Sequence, residues 1–208
     1  MKTSKYYPTT VLNHSKKILV AASFFAASLT SLSANAQKTS YQSIPQTSTV
    51  KVLGNSNIHK WNMSNEKLSS QAAFTFKDGK LNDLSGFSFT MQVKDLKSDE
   101  ELLNTRAHKA LNAEKYTTIS FKMTSATVAP TQGNNYQIKA YGKLQIAGVT
   151  KDVMLLANAV QNADKTISCT GTEKLKMSDY GVKPPSFMLG ALKVADDVSI
   201  NFNLKFKD

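Results

Sequence analysis

Between Tyr141 and Ala157 the apolar side chains fall at every second position, with one interruption. Leu144 and Ile146 alternate with Lys143 and Gln145, Gly148 breaks the run, and Val153, Leu155 and Ala157 resume it after Thr150-Lys151. A period of two belongs to an extended chain, whose successive side chains leave opposite faces. A glycine between two such runs marks a hairpin. An isolated hairpin is barely stable in water, so the chain must supply further strands.

It does so along most of its length. Val50, Val52 and Ile58 suggest an early strand, with Gly54-Asn55-Ser56-Asn57 as a turn. Phe74 and Phe76 alternate about Thr75, and Asp78-Gly79 is a strong hairpin signal. Leu81 and Leu84 follow, then Phe87, Phe89, Met91 and Val93 share one parity, and Ile119, Phe121 and Met123 share another. Gly133-Asn134-Asn135 and Asn162-Ala163-Asp164 read as turns. The last strand sets Val198, Ile200, Phe202, Leu204 and Phe206 against Ser199, Asn201, Asn203, Lys205 and Lys207, with Asp196-Asp197 as the turn before it. About eight short strands with turns between them predict an antiparallel barrel or sandwich. Two segments break the rhythm. Ser98-Asp99-Glu100-Glu101 has the form of a capping box with Ser98 as N-cap, and Leu103, Ala107, Ala110 and Leu111 continue at helical spacing to about Asn112. The second irregular stretch, 178–190, contains Pro184-Pro185 and the apolar triplet Phe187-Met188-Leu189, which either plugs a barrel end or lines a ligand entrance.

The first 36 residues are expected to lie outside this fold. Lys2, Lys5, Lys16 and Lys17 form a positive region without acids, 18–32 is mostly apolar or small, and Ala34-Asn35-Ala36 fits the signal-peptidase rule. The apolar stretch is shorter than the roughly 20 residues of a spanning helix. Cleavage and export to the periplasm follow, rather than release outside the cell. Cleavage would leave 172 residues carrying 22 basic and 15 acidic side chains, a formal charge of +7. Residues 37–46 are polar and read as a flexible leader, and 47–208 as a single domain. The lysines are scattered singly along strands, which fits a solvated face. The expected partners therefore include an anionic membrane surface, weakly, and no nucleic acid. Cys169, the only cysteine, sits in a strand pattern as a small apolar filler.

Alternation alone does not say which face is inside. The single Trp61, the mid-strand lysines and the capped helix between strands favour an apolar interior over a lipid-facing exterior. An eight-stranded barrel can fill itself with side chains or hold one ligand, and the residues leave both open. No metal site or cofactor is expected. His59 and His108 lack neighbouring ligands at metal spacing, and no spaced catalytic motif occurs. Asp99-Glu100-Glu101 is accounted for by helix capping, and Arg106, the only arginine, is placed on the helix surface. A barrel enzyme would need an inward titratable group, for which Tyr136, Tyr141 and His59 are the candidates.

Three blocks in order carry a resemblance over roughly 49–206. They are His59-Lys60-Trp61, the stretch with Arg106, Leu111, Tyr116, Ile119 and Phe121, and the G-x-L-x-I-x-G-x-T-K hairpin at 142–151. Together they resemble the YceI-like family of periplasmic lipid-binding proteins. Met177-Ser178-Asp179-Tyr180-Gly181-Val182 with Pro184-Pro185 is similar to a version in its Bacteroidetes branch. Ala107 and Thr117 depart from the family pattern, which often has Asp and Pro there. The resemblance implies an all-β, lipocalin-like extended antiparallel barrel of about eight strands with one inserted short α-helix. It implies a non-enzymatic protein that binds, carries or stores a long isoprenoid lipid or quinone. Phe74, Phe76, Phe87, Phe89, Met91, Phe121, Met123, Leu144, Ile146 and Phe187 are the expected ligand-lining residues. The alternatives are a lipocalin-type isomerase or cyclase and a dry-cored envelope interaction module.

Overall fold

The computed structural model describes residues 1–6 and 37–208; residues 1–6 form no helix or strand. The expected signal peptide falls mostly on residues outside those described. The remaining chain forms strands β1 (Gln37–Ser43), β2 (Thr49–Ser56), β3 (Lys60–Asn65), β4 (Leu68–Lys77) and β5 (Lys80–Gln92). Helix α1 (Glu101–Ala110) follows, then β6 (Thr118–Pro130), β7 (Asn135–Ile146), β8 (Val149–Gln161), β9 (Ile167–Lys176), β10 (Ser186–Phe187) and β11 (Leu192–Lys207).

Eight strands close a ring in the order β1-β4-β5-β6-β7-β8-β9-β11, and β11 returns to β1 through Gln42↔Lys207 and Ser43↔Phe206. Every pairing in the ring is antiparallel. The β2–β3 hairpin adds to the upper part of β11, from Val194↔Ser56 to Asn203↔Thr49. This is the all-β barrel with one inserted helix that the alternation and the resemblance predict.

The hairpins follow their turn residues. Asp78 (φ 52°) and Gly79 (φ 75°) join β4 to β5, and Ala147 (φ 47°) and Gly148 (φ 80°) join β7 to β8. Two consecutive left-handed residues match the twist of the flanking strands. Inward residues of β7 are buried in strict alternation, from Tyr136 through Ile138 and Ala140 to Leu144 and Ile146. One end of the ring is filled by aromatic rings. Tyr41 meets Phe74 edge-on at 5.3 Å, Phe74 meets Phe206 at 5.7 Å, and Phe87 lies 6.2 Å from Phe206 and 5.8 Å from Phe121. The turns at this end are tied together: the Leu81 amide donates to Tyr136 Oη (3.2 Å) and Gln161 Nε2 donates to the Gly79 carbonyl (2.8 Å).

Four expectations are corrected. Residues 37–43 are not a loose leader but β1, because Tyr41, the one large apolar residue of that segment, packs inward at 5% exposure. Gly54-Asn55-Ser56 is strand rather than turn, and the turn falls at 57–59. Helix α1 has Glu100 at its N-cap with no side-chain cap. Ser98 Oγ instead accepts from the Glu100 amide at 3.1 Å, and Asn104 Oδ1 accepts from the Ser98 amide at 2.7 Å. Asp196 and Asp197 lie within β11 at a register shift, where Asp196 accepts from the Ser178 amide and hydroxyl at 2.8 and 2.6 Å.

The ion pairs Lys94–Glu114, Lys143–Asp152, Lys151–Asp179 and Lys205–Asp164 involve well-exposed side chains. Such pairs contribute little, so stability rests on the aromatic end and the strand interiors. Phe206, 1% exposed, is central there. Phe206→Ala is expected to cost about 3–5 kcal/mol in urea unfolding, with near-native spectra before the transition; a loss below about 1 kcal/mol would show that the aromatic end does not hold the ring.

Candidate functional site

The end opposite the aromatic cluster is built differently. Turn 57–59, turn 147–148, the segment 177–191 and helix α1 gather there. Asn57 ties two of these together: its amide donates to the Lys193 carbonyl (3.0 Å) and its Nδ2 donates to the Ala191 carbonyl (2.8 Å). Leu103, Arg106, Ala107 and Ala110 of α1 and its C-cap Leu111 form one stripe, at i, i+3, i+4, i+7 and i+8. That stripe covers a cavity of about 280 Å³ running into the ring.

The cavity wall is almost wholly apolar. Phe74, Phe87, Phe121 and Phe206 line it from the aromatic end, and Phe89, Met91, Leu144, Ile146 and Phe187 also face it. Eight of the ten expected lining residues are thus brought together. Phe76 and Met123 pack against the core but do not line the cavity. Both sit beside register shifts, where the added residue is Asn82 on β5 and Thr124 on β6.

The mouth carries apolar residues in the open. Leu102 lines the cavity yet is 60% exposed, and Ile58 (64%) and Leu189 (110%) stand on the neighbouring segments. Arg106, expected on the helix surface, instead lines the cavity, with its guanidinium carbon 3.8 Å from the centre of the Phe187 ring. The pair bridges α1 to β10, which itself is held to β11 by Phe187↔Leu192. The apolar triplet therefore contributes a wall residue, Phe187, and an exposed one, Leu189.

Sequence reasoning missed Glu173 and Tyr180 as wall residues, and gave Glu100, which also lines the cavity, only a capping role. Glu173 lies on the inward parity of β9, in series with Ile167, Cys169 and Leu175, and faces the cavity. Its carboxylate makes no hydrogen bond or ion pair among the described residues, and burial pushes its pKa up. Tyr180 also lines the cavity, and its pKa is raised first by burial and then by the charges of Glu173 and Asp179. Counting parity along 167–175 would have found Glu173. Of the candidates for an inward titratable group, Tyr136 and Tyr141 do not line the cavity and His59 stands at its mouth. His108 donates from Nε2 to the Leu96 carbonyl at 2.9 Å. Burial pushes the Cys169 thiol up to about 12, which leaves it unreactive. No cluster of three metal-ligating side chains occurs among the described residues, and no described helix is long and apolar enough to cross a membrane.

Trp61 forms part of the wall and explains Gly54. The indole lies across its cross-strand partner Gly54, where an added Cβ would come within 2.0 Å of Trp61 Cζ2. Its Nε1 is enclosed without a partner.

The chain belongs to the YceI-like family, whose domain description matches residues 41–206. Among solved structures it is similar to Burkholderia cenocepacia BcnA, at 23% identity and a TM-score of 0.62, covering 76% of this chain and 95% of that one. It is also similar to a polyisoprenoid binding domain from Saccharophagus degradans, at 13% identity and a TM-score of 0.60, covering 80% and 97%. A Campylobacter jejuni YceI protein aligns at 19% identity and a TM-score of 0.50, covering 67% and 81%. No curated protein sequence matches the chain.

Two outcomes test this wall. Gly54→Ala must displace the indole, at an expected cost of about 1–3 kcal/mol, and shifts the emission of Trp61, the sole tryptophan, to longer wavelength; unchanged emission would contradict the packing. For Glu173, burial penalises the ionised form, because the folded pKa lies above the unfolded one. The penalty is absent below about pH 4 and grows as pH rises through the folded value. Glu173→Gln is therefore expected to raise the Tm at pH 7, with the gain closing towards pH 4. An equal gain at both pH values would assign it to something other than charge.

Proposed function

We propose that this protein binds a long-chain apolar lipid with an isoprenoid tail in its barrel interior and carries or stores it unchanged in the periplasm. The observation that carries this reading is the apolar cavity, which has the aromatic cluster at its inner end and exposed leucine and isoleucine at its mouth. The polyisoprenoid binding domain from Saccharophagus degradans, similar in fold, supports the choice of ligand class.

The energetics fit a long tail. Removing apolar surface from water gives about 0.8 kcal/mol per CH₂, whereas association costs about 4–15 kcal/mol in lost freedom. A short chain does not offset that cost, and several isoprene units do. A flexible Met91 and the phenyl rings of Phe87, Phe89 and Phe121 give a wall that conforms to a methyl-branched tail. A quinone is the natural extension of this reading, since its head adds two carbonyls to the same tail. Scattered lysines supply weak attraction to anionic headgroups when the protein meets a membrane.

The test is native mass spectrometry of protein taken from its own periplasm, alongside variants that fill the cavity. Ala140 and Ala157 both line it. Ala140→Phe and Ala157→Phe are expected to retain the β spectrum and to lower bound isoprenoid at least about tenfold, or about 1.4 kcal/mol. A lipid-free wild type, or unchanged lipid in folded filled variants, would overturn the proposal.

A further inference from the structure

The charge inside the cavity runs against the charge of the chain. The sequence carries 26 basic and 15 acidic residues, yet the wall holds two carboxylates, Glu100 and Glu173, and one full cation, Arg106. Those three occupy different levels. Glu100 and Arg106 belong to α1 and its N-cap at the mouth, where Arg106 is stacked on Phe187. Glu173 lies on the ring strand β9, two residues past its last pairing with β8 at Gly171, on the same inward face as Leu175 and level with Ile200 of β11 and Val52 of β2. Both of these registered neighbours are apolar.

A lone carboxylate in such a wall needs a reason. Burying an unpaired acid costs free energy, and leucine at this parity would lift that cost, as Leu175 does one step along. A group retained there without an internal partner is open to one supplied by a ligand. Its chemistry selects that partner by sign. A carboxyl accepts a hydrogen bond from a hydroxyl when ionised, and donates one to a carbonyl when protonated, and burial brings the protonated form closer to neutral pH. Ionised, it repels a phosphate in either charge state of that head. A repulsion between like charges in a partly desolvated wall is felt more strongly than in water. Tyr180, in the same wall, adds a hydroxyl that serves an uncharged head equally well.

We propose that Glu173 makes the cavity selective for isoprenoid lipids with an uncharged hydrogen-bonding head, a hydroxyl or a quinone carbonyl, and excludes those that end in a phosphate. This rests on the isoprenoid-binding reading above. The selectivity is set at Glu173 on β9 rather than at Arg106, which is stacked on Phe187.

The experiment uses delipidated full-length mature protein and two probes that share one tail, geranylgeraniol and geranylgeranyl phosphate, competed at equal concentration and read by native mass spectrometry. Wild type is expected to prefer the alcohol by at least about tenfold. Glu173→Gln, which keeps shape and hydrogen bonding but removes the charge, is expected to bring the ratio close to one by admitting the phosphate. Glu173→Leu is expected to retain the tail and to weaken the alcohol. If wild type takes up neither probe, the binding function itself fails. If it takes up both equally, or if the ratio is unmoved by Glu173→Gln and responds instead to Arg106→Gln, the function stands and the selectivity proposed for Glu173 is overturned.

Discussion

The second edge of β11 is shared between two partners, and the interior depends on that division. On one side β11 pairs continuously with β9, from Asp197↔Lys176 to Phe206↔Ile167. On the other, β2 takes the strand as far as Asn203, and β1 takes Phe206 and Lys207. The two-residue contact with β1 is what turns an open sheet into a ring. It is backed by side chains rather than by many backbone bonds: Phe206 is pinned between Phe74 and Phe87, and Tyr41 of β1 closes on Phe74. A short hydrogen-bonded seam can hold because the apolar surface behind it cannot be re-exposed without cost. With the seam closed, the inward parity of every ring strand faces protein or cavity, and no edge is left to recruit another chain along that stretch.

The same division makes the two ends unequal. At the seam end, short turns and aromatic rings fill the interior. At the other end the ring is widened by the β2–β3 hairpin and by long connections, α1 with its flanking loops and the segment 177–191. Those connections meet through few contacts, among them Arg106 on Phe187 and Asn57 on the 191–193 backbone. Contacts of this kind open more readily than a strand ladder, so entry of a ligand needs no break in the ring.

Most of this was legible in the strands, because a half-buried strand writes its geometry directly into its sequence. The run from Tyr136 to Ile146, the C-terminal strand and the Asp78-Gly79 and Gly148 turns needed nothing beyond their own residues. What was not legible depended on partners distant in sequence. Segment 37–43 reads as polar because its fold rests on one tyrosine and on β4 and β11. Gly54 reads as a turn because its reason, the Trp61 indole across it, lies on the next strand. That Phe76 and Met123 pack against the core without lining the cavity depends on neighbours in other strands. Glu173 is a different case: its parity was readable, but a charged side chain in a strand is read by habit as outward.

That matters because, on the proposed reading, the tail gives a carrier little discrimination. The relevant competitor for an isoprenoid chain is the bilayer, not water, and hydrocarbon in a bilayer is already as well surrounded by apolar groups as it would be in this cavity. Transfer of the tail from membrane to protein is therefore close to balanced, which is what lets a carrier both load and unload. Balanced transfer also means that tail contacts cannot decide which lipid is taken, since phosphates, alcohols and quinones share the same chain. The decision passes to the few polar groups that meet the head. On the proposed reading, in a wall built largely from Phe, Leu, Ile, Val and Met, one inward carboxylate is then the residue with the largest leverage over the cargo, although its burial penalises the ionised form.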